Sequence, residues 1–276
     1  MNASAAAIEA VLLQESTFYL VFQAGLAFAL FTLAGCLLFA VPYGKHSEAS
    51  AVAFITVDAR LGWWLMELPA TLSFAYFYPK GSHAWEPMPL FLASLWALHY
   101  GNRGWFFPLS IRVAPGSKGA SFSLVVILSG WLLTAMHGYL SARWYSEFGS
   151  HLFAGWERKP LFWCGLCVYQ ASFWITVHAE HVQRNLRSRD PAVAAKEPRY
   201  KLPVGGAWNW CTSPAYAFEL IGWFGFALMS WNPGGLAVTL VTLGNLGPRA
   251  VQNQRWYRDK FPDYPVERAV LLPFLL

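Results

Sequence analysis

The chain has 276 residues, 56% of them hydrophobic and only 13% charged, against about 25% charge in an ordinary soluble domain. Twenty Lys and Arg against fifteen Asp and Glu give a net charge of +5, and the mean hydropathy is +0.34. This excludes an ordinary soluble domain, implies no nucleic-acid partner and describes a polytopic protein whose surroundings are membrane lipid.

A helix needs about 20 mostly apolar residues to cross a hydrocarbon core of about 30 Å. Candidate spans lie near 19–41, 51–78, 87–112, 119–141, 161–183, 214–232 and 234–250. They predict one all-α membrane domain over 1–276 with seven transmembrane helices. Short cytoplasmic loops retain Lys and Arg. Residues 1–18 hold none, whereas Lys45, Lys118, Arg184, Arg187, Arg189, Lys196, Arg199 and Lys201 crowd alternate loops and the tail adds Arg249, Arg255, Arg258, Lys260 and Arg268. The other side has only Lys80, Arg143, Arg158 and Lys159. The N-terminus is therefore expected outside and the C-terminus in the cytoplasm. Without a basic n-region or a small-residue cleavage site ahead of Tyr19, the first span reads as retained.

The second span carries Asp58, Arg60 and Glu67, and an ionisable group at membrane depth costs at least about 2.5–3.5 kcal/mol. Asp58 and Arg60 can pair with each other, but Glu67 has no partner three or four residues away. The third span offers Tyr100, Arg103, His99 and Asn102. Antiparallel neighbours put Glu67 and Tyr100 at similar depth, where a phenol and a carboxyl can meet. A carboxyl out of water favours its neutral, hydrogen-donating form. Trp63, Trp64 and Trp105 lie beside these polar groups and can sandwich a flat apolar ligand. Trp156, Trp163, Trp208 and Trp210 are expected at headgroup level.

In the fifth span Cys164 and Cys167 read as two buried small hydrophobes rather than a redox pair. His178, Glu180 and His181 lie at its cytoplasmic end, followed by Arg184 and Arg187. His99 and His137 are too scattered to complete a metal set, so no metal is expected. The loop 184–213 is basic and broken by Pro191, Pro198 and Pro203, which suits it to folding over an anion. In the last span Asn245, Arg249, Asn253 and Tyr257 recur every four residues, so they share one helix face. Pro248 is a candidate kink.

The wording of the chain's end adds to this. Tyr200-Lys201-Leu202-Pro203-Val204-Gly205-Gly206, Ser213-Pro214-Ala215-Tyr216 with Glu219 and Trp223, Arg255-Trp256-Tyr257, Phe261-Pro262-Asp263-Tyr264-Pro265, Arg268, and Pro273 with Phe274 resemble the C-terminal domain of the steroid 5-alpha-reductases. The resemblance covers about 60–276 and is thinner through 113–160. It implies NADPH-dependent reduction of the 4,5 double bond of a 3-oxo-Δ4-steroid, or another lipophilic enone, by hydride transfer to C5. Met66-Glu67-Leu68-Pro69 stands at the family's Gln-Glu-Leu-Pro motif, and Leu98-His99-Tyr100 carries its catalytic tyrosine. Glu67 and Tyr100 would then hydrogen-bond the 3-ketone, within a pocket that includes Trp63 and Met66. Met66 cannot supply the amide donor of the family glutamine, which points to a different steroid preference.

The resemblance further implies that 19–112 forms mainly the substrate pocket and 161–276 mainly an NADPH region whose cytoplasmic loops close over the cofactor. Arg103, Arg112, His178, Glu180, Arg184, Arg187, Lys201, Glu219, Asn245, Arg249, Asn253, Tyr257 and Arg268 would surround it. No GxGxxG fingerprint is present, so a Rossmann site is not expected. A trans-2-enoyl-CoA reductase has a similar C-terminal domain, and an isoprenylcysteine-type methyltransferase shares a Tyr-, Pro- and Arg-rich tail. The Pro203-x-Gly-Gly loop and Glu67-Leu68-Pro69 favour the steroid branch. The Arg-His pair and the Glu-Glu pair of the methyltransferases are missing, and no inverted repeat suggests a transporter.

Overall fold

The computed structural model describes residues 3–39, 55–112, 121–198 and 200–272. Helix α1 (Ala3–Leu12) leads into α2 (Glu15–Leu38), followed by α3 (Ala59–Phe77), α4 (Pro87–Tyr100), α5 (Phe107–Ser110), α6 (Leu124–Arg143), α7 (Pro160–Asn185), α8 (Pro191–Ala194), α9 (Pro214–Ser230) and α10 (Pro233–Lys260). A proline opens α4, α7, α9 and α10, where its missing N–H is no loss and its φ is already helical. The Asn232 side chain accepts from the Gly234 N–H at 2.8 Å and caps α10. That helix continues through Pro248 to Lys260, ten residues beyond the predicted end of the span.

Two features depart from an all-helical chain. Strands β1 (Thr56–Asp58) and β2 (Ser121–Ser123) pair antiparallel, with Val57 opposite Phe122. The second span accordingly starts at Ala59 instead of 51. Asp58 does not reach for the Arg60 side chain. Its carboxylate caps α3 by accepting from the Arg60 and Leu61 N–H groups, a use of an acidic side chain that satisfies otherwise orphaned donors. Arg60 instead donates to the Ile111 carbonyl at 3.0 Å.

Among the described residues three helices are long and apolar enough to cross a membrane: Glu15–Leu38, Leu124–Phe148 and Pro160–Asn185. The other four predicted spans also fall on helices, α3, α4 with its continuation, α9 and α10, which are shorter or more polar. The basic segments around Lys45 and Lys118, Arg199, and the ending with Pro273 and Phe274 lie outside the described residues.

Helices meet closely where glycine faces backbone. A Cβ on Gly165 of α7 would come within 2.3 Å of the Met229 nitrogen of α9, and one on Gly138 of α6 within 2.5 Å of the Ala70 carbonyl of α3. Small residues at such crossings let apolar helices gain dispersion contact without a hydrophobic driving force between them. A stacked column of rings fills the centre: Phe74 lies 4.0 Å from Trp96, which lies 4.2 Å from Tyr100. Where α1 meets α6, Tyr139 donates to the Leu12 carbonyl at 2.8 Å and Arg143 to that of Leu13 at 3.3 Å. Lys80 pairs with Glu9 there, which fastens α1 to the core.

Two expectations about side chains are corrected. Cys164 and Cys167 are exposed on α7, not buried; they occupy the face turned away from α9. Trp208, expected at headgroup level, is buried and donates its indole N–H to the Ala179 carbonyl at 3.0 Å.

Candidate active site

Helix α4 passes into a π-helical stretch, Gly101–Phe106, whose wider turn is a common device at functional sites. Arg103 sits in it. Its Nε lies 3.3 Å from Glu67 Oε1, its Nη2 3.3 Å from Glu219 Oε1 and its Nη1 3.8 Å from Glu180 Oε1. One guanidinium thus gathers carboxyls from α3, α9 and α7. The Trp63 ring covers it at 4.7 Å and Phe107 at 5.9 Å. The partner that Glu67 lacks on its own helix comes from this neighbouring segment. One cation cannot balance three ionised carboxylates out of water, so the group favours keeping one of them neutral.

Tyr100, 5% exposed, takes a different neighbour. Its hydroxyl is 2.8 Å from His137 Nδ1 on α6, while the charges of Glu67 and Arg103 lie close enough to act on the phenol. Trp223 packs against His99 at 4.2 Å and edge-on against His137 at 4.8 Å. Between α4, α7 and α9 is a small, partly open cavity lined by His99, Arg103, Glu180, Glu219 and Trp223 among others. His99 Nδ1 and the Thr176 hydroxyl line it too, both buried and without a hydrogen-bond partner among the described residues.

The predicted cofactor residues form two further groups. The first joins the end of α10 to the tail. Arg249, 5% exposed, lies over the Tyr216 ring at 5.6 Å, and Asn253 donates to the Ser213 hydroxyl at 3.2 Å. Tyr257 stacks on Tyr264 at 6.1 Å. Buried Arg268 donates to the Pro203 carbonyl at 3.1 Å, while its own carbonyl accepts from Gln254 at 2.8 Å. The tail is fixed by pairing Thr212 N–H to the Ala269 carbonyl at 2.9 Å. Asn245, on the same face by spacing, instead accepts from the Cys36 thiol of α2 at 3.7 Å.

The second group caps α7. Arg112 donates to the Arg187 carbonyl at 3.0 Å and Arg184 to the Ser110 hydroxyl at 2.8 Å. Arg187 reaches the Ala194 and Pro198 carbonyls, and Lys201 pairs with Glu197 at 2.9 Å. The histidines flanking Glu180 point elsewhere. His181 meets Arg184 and Asn185. His178 lies under Gly206, where an added Cβ would be 2.7 Å from its ring. Met66 turns to α6: a Cβ on Gly130 would be 2.2 Å from its Cγ.

The sequence reading passed over His137 as a stray histidine and did not single out Thr176 or Gln254. Each is one polar residue on a helix, and only tertiary packing brings it to the site. Ser213 and Tyr216 belong to a recognisable motif, but the sequence alone gives them no role.

A buried cluster of carboxyls, a phenol and basic groups among apolar helices marks a membrane-embedded enzyme. A family model described as 3-oxo-5-alpha-steroid 4-dehydrogenase matches residues 120–276. The chain is 33% identical over 240 residues to Steroid 5-alpha-reductase DET2 of Gossypium hirsutum, covering 85% of this chain and 88% of the relative. To the Solanum lycopersicum protein of the same name it is 32% identical over 255 residues, 91% and 93% of the two chains. To 3-oxo-5-alpha-steroid 4-dehydrogenase 1 of Rattus norvegicus it is 33% identical over 237 residues, 85% and 86%. The chain belongs to the 3-oxo-5-alpha-steroid 4-dehydrogenase family, the steroid 5-alpha-reductases. These are oxidoreductases of steroid metabolism, a chemistry that points to a nicotinamide cofactor.

Proposed function

We propose that this protein reduces the 4,5 double bond of a 3-oxo-Δ4-steroid with NADPH, giving the 5-alpha-dihydrosteroid. The observation that carries the reading is the placement of Glu67 on the Arg103 hub, which lines a partly open cavity, with Tyr100 packed against His99 and Trp223 of the same lining. NADPH, when bound, would supply the hydride for C5. Tyr100 and the second Glu67 oxygen hold the 3-ketone and donate to the negative charge that grows on its oxygen. A donor aimed at such charge contributes a factor of about 10²–10³ in rate. The enolate formed is discharged at C4 by a proton from solvent. With Glu67 protonated, Glu180 and Glu219 around Arg103 leave one surplus negative charge to offset positive charge on the nicotinamide side.

The residues present suit that cofactor. The unpartnered His99 Nδ1 and Thr176 hydroxyl are a donor and acceptor pair fit for a carboxamide. Arg249 and Arg268, both buried, are cations for phosphates, and arginine forks suit bidentate phosphate binding. Arg112 after α5, Arg184 at the end of α7, and Arg187 and Lys201 in the loop beyond it serve the outer phosphates, with Asn253 and Tyr257 completing the wall.

In this reading all seven helical segments cross the bilayer, with α1 and the Lys80–Glu9 pair outside and the α10 end in the cytoplasm. The exposed apolar face of α2, with Leu30, Phe31, Leu37 and Leu38, meets lipid. The test is NADPH oxidation by detergent-purified protein with testosterone or progesterone, beside a trans-2-enoyl-CoA. Formation of the dihydrosteroid by mass spectrometry supports the reading. Turnover of the enoyl-CoA alone moves the chain to lipid elongation, and turnover of neither refutes the reductase assignment.

A further inference from the structure

Tyr100 has one hydroxyl proton, and its only hydrogen-bond partner among the described residues is His137. The imidazole is 1% exposed. Its Nδ1 is 2.8 Å from the phenol oxygen, and its Nε2 is buried without a hydrogen-bond partner among the described residues. A neutral imidazole carries one proton on one of these two nitrogens. With the proton on Nε2, Nδ1 can only accept, so the phenol hydrogen is spent on His137 and Tyr100 has nothing to give a ketone. Among the described residues Nε2 lacks a partner in either tautomer, as a donor in one and an acceptor in the other, so the phenol hydrogen decides between them. With the proton on Nδ1, His137 donates to the phenol oxygen, and the phenol hydrogen is left free for another acceptor. That bond also draws electron density from the phenol oxygen and strengthens it as a donor.

The geometry points to His137 as a positioning residue: in its Nδ1–H form it donates to Tyr100 and thereby aims the phenol hydrogen at the substrate carbonyl. The neighbouring rings fix the imidazole for this task. Trp223 stands perpendicular to it at 4.8 Å and Trp96 flanks it at 6.3 Å, while Gly138 next in the chain locks α6 against α3. His137 touches no substrate and acts only through Tyr100. The inference rests on the ketone-binding role proposed for Tyr100.

Two arms test it. In the first, 15N-histidine spectra of the full chain in nanodiscs are compared with those of His137→Asn, which identifies the His137 signals by difference. An Nδ1–H imidazole supports the inference, and an Nε2–H imidazole overturns it whether or not any steroid is turned over. The second arm uses the enone that the wild type reduces. His137→Leu lowers kcat roughly 10- to 100-fold, the worth of one hydrogen bond to a reacting group, and leaves the KM for NADPH unchanged. His137→Asn, whose amide N–H can stand near the Nδ1 position, recovers most of the loss. In a Tyr100→Phe background His137→Leu costs nothing more, since coupled residues are non-additive. Equal losses in both backgrounds, or a Leu variant as active as the wild type, would overturn the role. A wild type inactive on every enone, with His137 still in its Nδ1–H form, would refute the reductase reading instead.

Discussion

Arg103 holds Glu67 at 3.3 Å across the boundary between α4 and α3. The pair is one spoke of a hub that also binds Glu219 and Glu180, so the same guanidinium both steadies the carboxyl proposed to hold the ketone and ties three helices together.

Removing that cation should be costly. Arg103→Gln strands three buried carboxyls, and breaking a buried ionic group by deleting one partner costs about 3–5 kcal/mol. Thermal unfolding in detergent is expected at a clearly lower temperature than for the wild type, with Arg103→Lys intermediate because an ammonium lacks the planar fork. A melting curve unchanged by Arg103→Gln would mean that the hub does not stabilise the fold.

The division of labour between the two halves of the site is separable by kinetics. Tyr100→Phe and Glu67→Gln should each lower kcat by about 10²–10³ with little change in NADPH binding. Arg249→Ala should chiefly weaken NADPH binding, read by calorimetry or fluorescence titration. Equal loss of cofactor affinity in all three variants would contradict the assignment.

Much of this was legible in the residues, and the gaps have physical causes. Hydropathy located seven helices, and four-residue spacing located the α10 face, because both depend on local sequence. Glu67 announced itself as a charge without a local partner, and the missing partner proved to be on the next span. That Glu180 and Glu219 share Arg103 was not legible, since α7 and α9 meet α4 only through tertiary packing. His137 escaped for the same reason: one histidine in an apolar helix has no spacing to betray it. The β1 and β2 pairing escaped because each strand has only three residues.

Gly206 makes a narrower point about the cofactor loop. It has φ +55° and sits against the His178 ring, a conformation that costs an L-residue about 1–2 kcal/mol. Gly206→Ala should therefore displace the loop and raise the KM for NADPH several-fold with a smaller effect on kcat. Unaltered NADPH kinetics would show that the loop does not cover the cofactor.

The same loop should open in acid. The Lys201 ammonium and then the Ser188 N–H hold the Glu197 carboxyl below its ordinary range, with Lys201 at 2.9 Å and Ser188 at 3.1 Å. A carboxyl whose folded value is depressed contributes fully above its unfolded value, about 4.3. The contribution is lost as pH falls through the lower, folded value. Limited proteolysis between 186 and 201 is expected to accelerate below about pH 4 in the wild type, and to be faster and less pH-dependent in Glu197→Gln. Identical profiles for the two proteins would remove Glu197 from the clasp.

The most direct measurement is transfer of label from NADPH deuterated at C4 of the nicotinamide to testosterone, with the product examined by mass spectrometry and NMR. The account predicts a 5-alpha-dihydrosteroid carrying one deuterium at C5 and a solvent proton at C4, formed by the wild type and almost lost in Tyr100→Phe. A product with the label elsewhere, or an unreacted steroid in the presence of bound NADPH, would contradict it.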